Sequence, residues 1–220
     1  MALFRKTSGA AAPVNLESAQ AHDHRLALIE DMTFEVVPIK SLSSAIEVLP
    51  AGARVSVTCS PVKGIAETQR IVDGLAEQGL SAVPHISARL VRDRAHTTEL
   101  AAWFRATGVT EAFVVGGDIS EPHAYPGAVE FLRDLLDTDH GLGTIGVAAY
   151  PDGHAFLPTE QMTQTLRTKQ ELLAAAGIAG YCSTQMCFDP TTISGWMSRE
   201  RREGLTLPIH LGVAGSVDKT

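Results

Sequence analysis

Seven short apolar runs recur along the chain: Phe34 to Ile39, Arg54 to Ser60, Ser81 to Ser87, Ala112 to Asp118, Thr144 to Asp152, Tyr181 to Asp189 and Leu207 to Gly215. Each reads as a buried strand. Between them the apolar positions shift to helical spacing. Ile65 to Gln78 carries Ile65, Ile71, Val72 and Leu75 on one face and stops at Gly79; Thr97 to Thr107 does the same with Leu100, Ala101 and Phe104 before Gly108. Further helices are expected at Tyr125 to Leu136, Thr159 to Ala176 and Thr191 to Glu203, and another near the start at Leu16 to Glu30. Residues 1–15, rich in Ala with Gly9 and Pro13, read as a flexible tail. Residues 16–220 read as a single domain.

Strands alternating with single helices, without strand pairs, imply a parallel sheet with right-handed crossovers. Nearly every apolar run ends in a residue able to bind a ligand or move a proton: Glu35, Thr58, His85, Asp118, Tyr150 with His154, and Gln185. Polar groups at the C-terminal ends of all strands, and not at one switch point, favour a barrel over an open doubly wound sheet. No G-x-G-x-x-G follows a strand, and the Gly116-Gly117-Asp118 turn lacks the dinucleotide spacing. The expected fold is therefore α/β, a TIM-type (β/α)8 barrel in which seven strands are recognisable. The eighth is absent from the sequence pattern, so the expectation is either a domain truncated at its C-terminal side or a barrel whose closure is incomplete.

Composition narrows the function classes. At 220 residues and 45% hydrophobic content the chain can bury a full core. A net charge of −7 argues against nucleic acid, because neutralising phosphates requires a basic face. The basic cluster Arg199 to Arg202 is interleaved with Glu200 and Glu203, which reads as a solvated helix surface. No apolar run reaches the roughly 20 residues of a membrane span, and the N-terminus lacks a signal-peptide core, so a cytoplasmic protein is expected. Cys59, Cys182 and Cys187 have no C-x-x-C spacing and read as reduced thiols. No metal site is expected, since His85 and His154 have no partners at ligand spacing.

Glu35 is the sharpest anomaly. A carboxylate within Thr33-Phe34-Glu35-Val36-Val37-Pro38 points either into the barrel or into the helix layer, and neither tolerates an unpartnered charge. Facing inward near the rim, it would gain the raised pKa of a general acid. The alternative is a strand-end ion pair with Lys40. Asp118 follows two glycines that let backbone approach a flat ligand. Gln185 offers an amide that both donates to and accepts from a heterocycle edge.

Six stretches run in a common order and together resemble the methylenetetrahydrofolate reductase family. They are Phe34-Glu35-Val36-Val37-Pro38, Val55-Ser56-Val57-Thr58, Pro84-His85-Ile86, Gly117-Asp118, Ala148-Ala149-Tyr150-Pro151-Asp152-Gly153-His154 and Thr184-Gln185-Met186-Cys187-Phe188-Asp189. The resemblance implies reduction of 5,10-methylenetetrahydrofolate to 5-methyltetrahydrofolate with NADH or NADPH through bound FAD. It implies catalytic roles for Glu35 and Asp118, and substrate binding by Glu35, Asp118, Tyr150 and Gln185. It implies flavin contacts from Thr58, His85, Gly117, Asp118, Tyr125, Tyr150, His154 and Lys169. The implied partner is a small-molecule folate, with homo-oligomerisation open. Competing readings are direct hydride transfer to the folate without flavin, a pterin-binding barrel that performs group transfer, and a non-catalytic subunit.

Overall fold

The computed structural model describes residues 19–155 and 157–215. Two compact units divide the chain, Met1–Met32 and Thr33–Thr220. The first contributes one described helix, α1 (Ala19–Glu30), exposed from residue 21 to 30. The expected tail, and residues 16–18 of the expected first helix, lie outside the described residues.

The second unit alternates strand and helix. Its order is β1 (Thr33–Val36), α2 (Leu42–Glu47), β2 (Arg54–Val57), α3 (Gly64–Glu77), β3 (Ser81–Ser87), α4 (Arg94–Thr107), β4 (Glu111–Val115), α5 (Ala128–Leu136), β5 (Thr144–Ala149), α6 (Thr159–Ala175), β6 (Ala179–Thr184), α7 (Pro190–Arg202) and β7 (Ile209–His210). All six strand pairs are parallel and follow sequence order from β1 to β7. The architecture is an α/β half-barrel, a TIM-type barrel missing one strand. Among the described residues β1 and β7 do not pair with each other.

Side-chain parity separates two apolar cores. Val36, Val55, Val57, Ile86, Val114, Ile145, Val147 and Cys182 face the helices and pack with residues such as Leu75, Phe104, Phe131 and Leu173. Fully burying each such large side chain contributes about 1.5–3 kcal/mol. The alternate positions point to the concave face, where Val83, Phe113 and Tyr181 form a smaller cluster with Val115 and Ala148. Arg54 bonds Glu111 across this face, with its guanidinium 5.7 Å from the Tyr181 ring centroid. Tyr181 in turn stacks on His210 at 4.4 Å. Cationic, acidic and aromatic groups thus fill the concave side below the rim.

Most strands end earlier than their apolar runs. Residues 37–39, 58–60, 116–118, 150–152 and 185–189 are rim loops, because Pro38, Gly117 (φ 95°) and Pro151 interrupt the ladder where no neighbouring strand extends. Helix starts also moved. The Asp93 carboxylate accepts from the His96 N–H at 2.7 Å and begins α4 at Arg94, whereas Pro126 and extended Gly127 delay α5 to Ala128. Helix α2 has no buried residue, so it left no periodic signal in the sequence.

Gly146 is a packing requirement of the concave face. A Cβ there would collide with the rings of Tyr181 and Phe113. Gly146→Ala is expected to destabilise the protein by about 1–3 kcal/mol, the usual cost of overpacking, and to lower the thermal midpoint. An unchanged midpoint would show that the two rings are not held in contact.

Candidate functional site

The parallel sheet carries Glu35, Thr58, Asp118, Tyr150 and Gln185 to its C-terminal side, on or just after the ends of β1, β2, β4, β5 and β6. Gly117, Asp118, Tyr150, His154 and Lys169 line one cavity of about 440 Å³, together with Arg89, the first turn of α5, Trp196, Arg199 and Glu200. Gly117 can be only glycine: its φ is 95°, and a Cβ would strike the Ser87 Oγ. The turn therefore presents bare backbone to the cavity. Tyr150 and His154 pack edge to face at 5.0 Å. Burial pushes the Tyr150 phenol above its ordinary pKa, and the Asp118 charge pushes it the same way.

The lining also carries a buried cation. Lys169 on α6 is 6% exposed, and among the described residues no carboxylate pairs with it. Burial pushes its ammonium down from 10.5 to about 8, so it remains largely charged at neutral pH. The start of α5 adds main-chain N–H groups with no side-chain cap. Glu200 also lines the cavity, but its charge is spoken for. Its carboxylate, 1% exposed, accepts from Arg167 at 2.8 Å and Thr163 at 3.1 Å, and Arg199 lies 3.6 Å away. The lining thus combines the glycine turn at Gly116 and Gly117 with a buried lysine that pairs with no carboxylate among the described residues. That combination suits a planar ring with an anionic tail.

Glu35 lies on the concave face. Its Oε2 is 3.8 Å from His85 Nε2, and partial burial lifts its carboxyl above the ordinary 4.5 although the side chain remains 61% exposed. Strand-end pairing with Lys40 is not what the structure shows. His85 Nε2 is 2.5 Å from Ser56 Oγ, and its ring lies 4.6 Å from that of Phe113. Burial pushes His85 down to about 4, which leaves the imidazole neutral at neutral pH.

A family model described as methylenetetrahydrofolate reductase matches residues 35–215. The chain belongs to the methylenetetrahydrofolate reductase family. Membership makes it a folate-linked oxidoreductase in coarse terms, and enzymes of the methylenetetrahydrofolate reductase family generally bind FAD. The match spans every strand from Glu35 onward, so the rim residues above fall within it.

Not every expected residue joins the cavity. Tyr125 is buried between α4 and α5, its hydroxyl 2.9 Å from Thr97 Oγ1 and donating to Asp134 at 2.7 Å. Thr58 sits at the end of β2, where its carbonyl accepts from Thr68 and its N–H donates to Val36. Gln185 is exposed on the rim, anchored by its N–H to the Ala149 carbonyl at 2.8 Å. Asp189 caps α7 by accepting from the Thr191 N–H. The expected solvated surface at Arg199 to Arg202 is corrected. Glu200 is buried and bonded, Arg199 lines the cavity, and Arg201 donates to the carbonyls of Leu205 and Leu207. Arg89 was also missed; it ties the β3 and β4 rim loops together through the carbonyls of Pro126 and Ile119.

The buried ammonium has a measurable cost. A folded-state value near 8 against 10.5 corresponds to roughly 3 kcal/mol of destabilisation, present in full below pH 8 and relieved as pH rises to 10.5. Lys169→Met is thus expected to be more stable than wild type at pH 7, with the difference shrinking through pH 8–10.5. Inorganic pyrophosphate should stabilise the wild type and not the variant. A less stable variant at pH 7 would mean that Lys169 is paired within the protein.

Proposed function

We propose that this chain reduces 5,10-methylenetetrahydrofolate to 5-methyltetrahydrofolate, with NADH or NADPH as hydride source and FAD as the bound carrier. The observation that carries this reading is Glu35, a carboxyl on the concave face 3.8 Å from a neutral imidazole, in a family of folate reductases. The folate's bridging methylene is a poor hydride acceptor until a ring nitrogen is protonated and the five-membered ring opens. A positioned acid meets that need.

In this account Glu35 delivers its proton to that nitrogen as the ring opens to a cationic iminium. Asp118, exposed on the rim, stabilises the cation electrostatically. Gln185 would bond the pterin edge through both halves of its amide, and Tyr150, which lines the cavity, would contact both folate and flavin. When bound, FAD would accept hydride from the nicotinamide and pass it to the folate carbon. The cavity fits such a group. Gly117 leaves room beside the backbone for a flat ring, Tyr150 and His154 supply an aromatic side, and Lys169 with the α5 amides would hold the diphosphate.

Purified protein supplied with FAD is expected to oxidise reduced nicotinamide only when methylenetetrahydrofolate is present. Glu35→Gln should lower that turnover by about 10²- to 10⁴-fold, the usual worth of a general acid. Equal turnover in wild type and variant would remove Glu35 from the mechanism. Full turnover in protein stripped of flavin would assign direct hydride transfer instead.

A further inference from the structure

The contact that the proposed chemistry leaves unexplained is the one behind Glu35. His85 is 8% exposed, and its Nε2 faces two oxygens, Ser56 Oγ at 2.5 Å and Glu35 Oε2 at 3.8 Å. Ser56 is the cross-strand neighbour of Glu35 in the β1–β2 register. His85 lies on β3 two residues beyond Val83, the register partner of Ser56, so its ring reaches back to both the serine and the carboxyl.

We propose that Ser56 and His85 are a positioning pair for Glu35: the Ser56 hydroxyl donates to His85 Nε2, which keeps the imidazole neutral, and a neutral imidazole lets Glu35 carry its proton. The inference deepens the folate-reductase reading and rests on it for the fate of that proton. Charge decides the matter. A cation within 4–6 Å of a carboxyl typically lowers its pKa by about 1–3 units, whereas a neutral acceptor does not. If His85 gained a proton at Nε2, the Ser56 hydroxyl would have to turn from donor to acceptor, and a positive charge would lie 3.8 Å from Glu35. Burial opposes the same protonation.

The other charged groups on this face do not substitute for His85. Arg54 on β2 is bonded to Glu111 on β4, and His210 on β7 is stacked on Tyr181 from β6. Ser81 and Ser87, the other polar residues of β3 on this side, carry no charge. Glu35 thus depends on the state of one imidazole.

The test reads the carboxyl directly. ¹³C NMR titration of the Glu35 Cδ in the full chain, assigned by its loss in Glu35→Gln, is compared for wild type, Ser56→Ala, His85→Gln and His85→Lys. Wild type should titrate above the ordinary glutamate midpoint, and His85→Gln, a neutral side chain, should keep it there. His85→Lys should lower the midpoint by about 1–3 pH units, a tenfold to thousandfold loss of acid form at neutral pH. Ser56→Ala should shift it downward while the His85 ring titration moves upward; this second variant decides the matter if the buried lysine prevents folding. An unmoved Glu35 midpoint in Ser56→Ala, or in a folded His85→Lys, overturns the proposal. Nicotinamide oxidation with methylenetetrahydrofolate is measured beside it. Absent turnover with the predicted titrations fails the folate reading alone, and turnover with unmoved titrations fails the pair alone.

Discussion

A carboxyl can deliver a proton near neutral pH only where its surroundings penalise the carboxylate, and the role proposed for Glu35 depends on that constraint. Glu35 meets it on a face where the nearest titratable partner, His85, is buried and uncharged. Arg54, which faces the same side, is committed to Glu111 and to the ring of Tyr181.

The second element is a separation of charge in space. The cavity beside α5 and α6 is lined by Lys169, whose burial disfavours its charged form, while Glu200, a buried acid of the same lining, is paired with Arg167 and Arg199. The buried lysine of the cavity and the carboxyl of β1 thus occupy different places, Glu35 lying outside the cavity lining. Strand parity makes this possible. Alternate residues of one sheet serve the helix-side core and the concave face, and the rim loops turn from one to the other at Gly117 and Tyr150.

Much of this was legible in the chain. β3 matched its expected limits, Ser81 to Ser87, because that run is long and nearly all buried. Glu35 stood out because a charge interrupting an apolar strand needs a reason. Other strands were read too long, since rim residues such as Val37, Ile39, Met186 and Phe188 are apolar yet exposed, and apolarity alone does not report burial. Tyr125 looked like a site residue by resemblance, but its hydroxyl is used between two helices. The Glu200 network was missed because flanking arginines read as solvated surface. Its spacing held the signal: Trp196 and Glu200 are four apart and share the buried face of α7. The Arg89 staple left no such trace, because it depends on where two rim loops meet.

The most direct test of the whole account is the pH dependence of the hydride-transfer step to the folate in single-turnover experiments. The account predicts a rate that falls about tenfold per pH unit above a midpoint higher than 4.5, and the loss of that limb in Glu35→Gln. A rate independent of pH, or a limb that survives the substitution, would contradict it.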